Sequence, residues 1–351
     1  MRSITLEEDI RAAACAIVQV GSLENCTVLV TGASGLIGSL IVRALVLAEK
    51  EGLTRGVKVL ALARNRKKLE EAVGPEDSTL TYLIRDVSQG LDPCPETDYI
   101  FHCASPTSSS YFCTNPVETI ASICSGTSAV LRHCAGNRKL KKMVYLSSCE
   151  VYGKVEERIR IREDYQGYID PLSVRSSYSL GKRMAECLCC SYHAEYGVPV
   201  VIARLTQTFG AGISAEDGRV FAQFARSVVE GRDIILHTEG KSSKSYIYTT
   251  DAVSALFTLL FKAEPGRAYN VANEDSYCSI SEMAEMLASM GDRTIKVKKE
   301  VPSSNIYPPD THLDLDCGPL KELGWKPALG LEQMYRRLIN YLSSGNERIE
   351  A

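Results

Sequence analysis

No apolar stretch in the 351-residue sequence reaches the roughly 20 residues that a bilayer span needs, and the longest runs, such as Leu40–Ala48, are cut short by charge. Glu7, Glu8 and Asp9 precede the first apolar stretch, the wrong order for a signal peptide. The expectation is a cytoplasmic protein with no membrane partner. A one-signed surface is missing as well. Forty Lys and Arg face 43 Asp and Glu, for a formal net charge of −3, and both signs are scattered along the chain. Nothing here could follow a phosphate backbone, so nucleic acid is not an expected partner. Internal repeats and low-complexity linkers are absent too.

The 13 cysteines are an odd number spread through segments that read as core strands and helices, so they are expected to be small buried apolar residues. Cys187-Leu-Cys-Cys190 has C-x-x-C spacing, but it lacks a second pair and any histidine at ligand spacing. No metal is expected.

What is present is an alternation of two periodicities. Residues 1–25 read as a helix, with Ile10, Ala13, Ala14 and Ile17 at helical spacing, leading into Thr27–Thr31, a short β-branched run of the kind buried in a parallel sheet. Val57–Ala63, Leu80–Ile84, Tyr99–Cys103, Met143–Ser147 and Val198–Ala203 read as further strands. Leu36–Lys50, Val117–Ala135 and Tyr178–Tyr196 read as helices between them. The predicted class is α/β: a doubly wound parallel Rossmann sheet with a smaller C-terminal substrate-binding lobe. Residues 1–205 form the dinucleotide-binding part, with 245–272 returning to it, and 206–244 and 273–345 form the lobe. In the lobe a strand at Asp233–His237 and helices at Phe221–Glu230 and Ser279–Met290 stand out.

Thr31-Gly-Ala-Ser-Gly-Leu-Ile-Gly38 follows the first strand and opens a helix. Gly32, Gly35 and Gly38 allow a tight turn and close approach of a pyrophosphate, while the backbone of Ser34, Leu36 and Ile37 reaches the helix N-terminus, whose free N–H groups suit an anion. The second strand ends Ala63-Arg64. An acidic residue there would bind the ribose 2′-hydroxyl of NAD, whereas Arg64 accommodates the 2′-phosphate of NADP. NAD and NADP both remain open. Asp86 and Val87 after the third strand are placed for the adenine, and Ala104 and Ser105 after the fourth for close passage of the cofactor. Each has an ordinary structural alternative, a capping Asp or close packing.

Tyr178-Ser-Leu-Gly-Lys182 sets a phenol and an ammonium four residues apart on one helical face. A nearby lysine charge and a nicotinamide cation favour the phenolate, which can take a carbinol proton as hydride leaves the carbon. Ser148, at the end of the fifth strand, is placed to hydrogen-bond the same oxygen. Glu150 stands two residues on.

With the glycine turn, these residues resemble the extended short-chain dehydrogenase/reductase family and its nucleotide-sugar epimerases, dehydratases and decarboxylases, from about Thr27 to at least Ala288. Tyr178–Glu186, Thr208-Phe-Gly210, Asp217-Gly-Arg-Val220 and Tyr246–Asp251 look most like UDP-glucuronate decarboxylases. The resemblance implies an enzyme that oxidises a nucleotide sugar at C4 with bound NAD(P) to a 4-keto intermediate, which then loses carbon dioxide or is epimerised, dehydrated or reduced. It also implies a homodimer through two helices, and substrate contacts from Ser105, Gln207, Arg219 and Lys244. Glu150 could move protons at C5 or C6 of such a sugar, or only hold a loop. Three positions depart from the pattern. Cys149 stands where 4,6-dehydratases usually carry Asp, which counts against dehydration. Gln207 replaces Asn, and Lys244 replaces Arg and loses a two-pronged grip on phosphate. A non-catalytic NAD(P)-binding sensor or scaffold is the alternative of another class.

Overall fold

A computed structural model describes residues 3–155, 159–214, 216–291, 295–301 and 310–346. Seven strands form one parallel sheet: β1 Thr27–Thr31, β2 Lys58–Ala63, β3 Leu80–Ile84, β4 Tyr99–His102, β5 Lys142–Ser148, β6 Val200–Leu205 and β7 Ala268–Val271. Their spatial order is β7-β6-β5-β4-β1-β2-β3. The order reverses between β1 and β4, opening a crevice at the carboxyl ends of those strands, where ligands bind in open α/β sheets.

The inner strands are largely apolar because both of their faces are covered. Val28 and Val30 of β1 point into one core and Leu29 into the other; Val59 and Ala61 of β2 oppose Leu60 and Leu62 in the same way. One face carries helices Ile4–Val20, Leu36–Lys50 and Thr249–Lys262, and the other carries Pro116–Gly136 and Ser177–Tyr196.

A second sheet joins Asn273–Ser279, Ser243–Tyr248, His312–Leu315 and Arg160–Ile161 in that order, with Gln207–Phe209 also pairing Ser243–Tyr248. The central strand divides its side chains between two bodies. Ile247 joins the core of the large sheet, whereas Tyr246 and Tyr248 join a second core with Phe209, Phe221 and Tyr335. Helix Thr249–Lys262 covers the large sheet and β7 forms its edge, while Ser243–Tyr248 is paired into the second sheet. Helices Val220–Val229 and Ile280–Met290 and a short strand Ile234–Leu236 stand where such elements were expected, the first helix shifted by one residue and the other two elements trimmed.

The N-terminal helix Ile4–Val20 is fastened to this second body. Asp9 is buried and accepts from the Tyr248 hydroxyl at 2.7 Å and from Arg337 Nε at 2.9 Å. Among the described residues no helix is long and apolar enough to cross a membrane, and no cluster of three or more His, Cys, Asp or Glu could hold a metal ion.

Candidate active site

The glycine turn lies at the end of β1. Gly32 has φ +67°, and a Cβ there would come within 2.8 Å of the Ala104 backbone after β4. Gly38, the third glycine, sits in the first turn of helix Leu36–Lys50, where a Cβ would collide with the Gly32 carbonyl oxygen. The bare backbone thus brings the turn, the helix N-terminus and the chain after β4 together, with Ser34 and Gly35 left at the surface. This cradle fits a dinucleotide pyrophosphate, which a side chain at either glycine would obstruct.

The base of the turn is locked by a buried chain of polar groups. His102 Nδ1 lies 2.7 Å from Thr31 Oγ1, its Nε2 lies 3.2 Å from Thr127 Oγ1, and the Ala104 N–H donates to Thr31 Oγ1 at 3.3 Å. Burial, aided by the nearby Lys182 charge, depresses the His102 imidazole to about 3, so it stays neutral. Ser105 faces the same crevice half-buried, its Oγ donating to the Pro106 carbonyl.

Arg64 is exposed, with its guanidinium 4.0 Å from Asp86 Oδ2. Asp86 accepts from the backbone N–H and hydroxyl of Ser88, so it caps the turn in which Val87 is buried. The edge expected to meet an adenosine ribose therefore presents a cation whose counter-charge sits in the turn after the neighbouring strand.

Ser148, Glu150, Tyr178 and Lys182 come together at the end of β5. Ser148 caps a short helical turn, its Oγ accepting from the Glu150 N–H at 3.2 Å, and it also hydrogen-bonds the Tyr178 phenol. Tyr178 and Lys182 project from one face of helix Ser177–Tyr196, and both are buried. Lys182 Nζ donates to the Leu146 carbonyl at 2.7 Å and sits 4.9 Å from the Tyr145 ring centre and 5.8 Å from that of Tyr178. Burial lowers its ammonium to about 8, while Glu186 opposes that fall.

The Tyr178 phenol is shifted upward by its surroundings. Burial raises it well above its ordinary value, the Glu150 carboxylate raises it further, and the Ser148 bond only partly offsets them. Lys182 directs its hydrogen bond to the Leu146 carbonyl rather than to the phenol.

Lys244 lies close enough to the buried Cys149 for its charge to act on that thiol, which burial nevertheless pushes up to about 11. A thiol so placed is not an acid at neutral pH. Gln207 is half-buried on the strand that pairs with Tyr246. Arg219 is folded onto Asp217, with Nε 3.0 and 3.1 Å from the two carboxylate oxygens, and it lies over the Phe221 ring. Its charge is matched within its own turn.

A family model for the NAD-dependent epimerase/dehydratase family matches residues 28–272. The chain belongs to that family. It is 30% identical over 311 residues to UDP-glucuronic acid decarboxylase 6 of Arabidopsis thaliana, covering 88% of this chain and 86% of the relative. It is 28% identical over 316 residues to UDP-glucuronic acid decarboxylase 1 of Danio rerio, covering 90% and 72%. A solved epimerase from Methanothermobacter thermautotrophicus shares the fold, with a TM-score of 0.79 at 20% identity over 96% of this chain and 97% of its own.

In this member of the epimerase/dehydratase family, three side chains at the site were not anticipated. Phe112 stacks on Tyr178 with ring centres 4.2 Å apart. Arg175 holds Glu150 through both guanidinium nitrogens, at 3.1 and 3.2 Å, and Ser179 Oγ donates to the same carboxylate at 3.1 Å. Arg175 and Ser179 flank Tyr178 in sequence, so their spacing was the available signal. Phe112 lies in a six-residue helix, Ser109–Thr114, with no periodicity long enough to read.

Proposed function

We propose that this protein oxidises a nucleotide-activated uronic acid at C4 and decarboxylates it, with UDP-glucuronate as the substrate. The observation that carries this reading is the placement of Glu150 beside the Ser148–Tyr178–Lys182 group, in a chain about 30% identical to UDP-glucuronic acid decarboxylases. NAD, when bound, would supply the hydride acceptor and, in its oxidised form, a positive charge. Gly32, Gly35 and Gly38, with the backbone of Ser34, Leu36 and Ile37, hold its pyrophosphate; Asp86 and Val87 flank the adenine end, and Ala104 and Ser105 line its path.

Tyr178 takes the C4 hydroxyl proton while Ser148 holds the oxygen, and Lys182 favours the phenolate. Hydride leaves C4, giving a 4-ketone and hence a β-keto acid. The C5–C6 bond then breaks, its electron pair passing into the C4 carbonyl as an enolate while carbon dioxide departs. A proton from solvent at C5, return of the Tyr178 proton to the C4 oxygen and return of the hydride to C4 would complete the cycle, with no net oxidation. Glu150 stands where a carboxylate can govern proton movement at C5. Cys149, held as a neutral thiol, disfavours expulsion of a C6 hydroxyl. Lys244 and Gln207 line the sugar-diphosphate side, and Arg219 meets the nucleotide once it exchanges Asp217 for it.

In this reading residues 1–205 with 249–272 form the cofactor domain, and 206–248 with 273–345 the substrate lobe. The enzyme works in a cytosolic, reducing compartment, in keeping with 13 free cysteines. It is a homodimer through helices Pro116–Gly136 and Ser177–Tyr196, which leave Val117, Ile120 and Met184 exposed at 71%, 45% and 54%. Arg64 makes room for a 2′-phosphate, so both NAD and NADP are accepted, with NAD the resident cofactor as in the family.

The test is incubation of purified protein with UDP-glucuronate and with UDP-, dTDP-, GDP- and CDP-linked neutral sugars, following products by mass spectrometry. The expected product is UDP-pentose with carbon dioxide and no net cofactor consumption. Conversion to an isomer of unchanged mass would make the protein an epimerase, and cofactor binding with no conversion of any sugar would make it a sensor.

A further inference from the structure

Tyr178, Lys182 and Glu186 follow one another at four-residue spacing along the buried face of helix Ser177–Tyr196. The oxidation step uses the first two only. Yet Lys182 and Glu186 anchor to neighbouring residues of β5: Lys182 Nζ donates to the Leu146 carbonyl at 2.7 Å, and the Ser147 hydroxyl donates to Glu186 Oε1 at 2.6 Å. Arg204 of β6 holds the same carboxylate, with Nε 3.0 and 3.2 Å from its two oxygens and Nη2 2.7 Å from Oε2. Arg204 is fixed in turn, its Nη1 donating to the Tyr152 hydroxyl at 3.1 Å and to the Glu163 backbone carbonyl at 2.7 Å.

Lys182 needs an opposite charge. It is buried, and a buried ammonium whose partner is a carbonyl is disfavoured against the neutral amine. The other titratable groups turned toward it are neutral. Burial pushes the Cys103 thiol after β4 up to about 12, raises Tyr145 of β5 and Tyr178 and Cys189 of the same helix well above their ordinary values, and leaves His102 of β4 uncharged. Helix Pro116–Gly136, packed alongside, brings the Cys124 thiol to the Gly181 carbonyl, and burial raises that thiol too. Glu186 is the one carboxylate among the groups that act on Lys182.

We propose that Glu186 is a positioning residue for the oxidation step: held by Arg204 and Ser147, its carboxylate is the counter-charge that keeps Lys182 an ammonium beside Tyr178. A buried ion pair gains little over apolar packing of the same size, so stability alone gives no reason for Glu186 and Arg204 to be charged. Placement does. The pair is neutral as a whole, but its negative end lies on the lysine's own helix face, one turn away. Lys182 keeps its charge while its hydrogen bond stays on the Leu146 carbonyl. The inference rests on the oxidation chemistry in the reading above and not on which sugar is oxidised.

The experiment labels the lysine side chains with carbon-13 at Cε and follows Lys182 by NMR titration of the NAD-free protein, its signal identified by its loss in Lys182→Met. Wild type is compared with Glu186→Asp, which keeps the charge, and Glu186→Gln, which removes it at nearly constant shape. Lys182 should lose its proton near pH 8 in wild type. Removing an anion lowers an ammonium, so Glu186→Gln should titrate at least about one pH unit lower, and Glu186→Asp should move less than about half as far. Both variants disturb the Arg204 pair, so a merely structural role would move Lys182 equally in both or in neither, and either result overturns the proposal. Should Glu186→Gln fail to fold, the double variant Glu186→Gln/Arg204→Gln, which strands no charge, gives the same downward shift. In turnover, the alkaline limb of the kcat profile should move to lower pH in Glu186→Gln; a uniform fall at every pH overturns the assignment. Wild type that leaves UDP-glucuronate unchanged overturns the substrate reading instead, and the titration still decides the role of Glu186.

Discussion

The ring of Phe112 lies flat against that of Tyr178, with centroids 4.2 Å apart and planes 9° from parallel. Both side chains are buried, Phe112 to 2% exposure and Tyr178 to 8%. The stack fixes the plane in which the phenolic oxygen points and keeps water from its face. Phe112→Leu conserves most of the volume and should cost less than about 1.5 kcal/mol of stability. It should nonetheless lower kcat roughly tenfold or more, because a phenol free to tilt loses its alignment with the carbinol. Steady-state kinetics beside a urea melt would separate the two effects, and an unchanged kcat would show that the stack is only packing.

Tyr178 should be a neutral phenol in the cofactor-free protein at neutral and mildly alkaline pH, since burial and Glu150 both raise it. The sign follows from charge: a buried anion beside a carboxylate is disfavoured, and a cation beside it reverses the effect. Oxidised cofactor should therefore shift the phenol downward. Subtracting the ultraviolet titration of Tyr178→Phe from that of wild type, with and without NAD, measures this directly. Phenolate in the free protein at neutral pH would contradict it. The same variant should lose about 10²- to 10⁴-fold in kcat.

Arg64 faces Asp86 across 4.0 Å and is otherwise in solvent, with 77% of its side chain exposed. Arg64→Asp restores a carboxylate where a ribose 2′-hydroxyl would sit and repels a 2′-phosphate. The NADP-to-NAD affinity ratio, read by fluorescence titration, should fall about tenfold or more, with little loss of NAD affinity. A ratio that does not move would place the adenosine ribose elsewhere.

Behind the site, Glu186 takes Arg204 through both guanidinium arms and accepts from Ser147 at 2.6 Å, with both charges about nine-tenths buried. Burial works against the Arg204 charge, but Glu186 more than compensates and holds its proton more firmly than usual. Glu186→Ala strands that cation, and loss of one partner from such a pair costs about 3–5 kcal/mol. Chemical denaturation would register it; a loss below about 1 kcal/mol would mean that water reaches the pair.

Met184 is 54% exposed on helix Ser177–Tyr196, and Leu188 stands one turn further along. Met184→Glu should leave the fold intact and turn a dimer into a monomer in sedimentation velocity. A wild type that already sediments as a monomer would remove the dimer from the account.

Much of this was legible in one sequence because the cofactor end is built from local patterns. The glycines of 32–38 lie within two turns of chain, and Tyr178 and Lys182 within one, so spacing alone placed them. The second sheet was harder. Asn273–Ser279 alternates irregularly between buried and half-buried positions, and Arg160–Ile161 is only two residues long, so neither carries a readable period. Phe112 meets Tyr178 from 66 residues away, a pairing that only tertiary packing creates. Spacing placed Lys182 one turn from Tyr178, but its hydrogen bond to the Leu146 carbonyl depends on tertiary packing that no spacing shows.

The hydrogen bond from Tyr248 to Asp9 has a mechanical consequence. It couples the first twenty residues, which lie outside the family-matched span, to the strand on which Lys244 sits four positions earlier. Loosening the N-terminal helix would leave the glycine cradle whole but slacken the strand that carries Lys244. Damage there would surface as a poorer KM for the sugar while cofactor affinity held, so a chain shortened to the span from β1 onward would give a misleading picture of what the intact enzyme prefers.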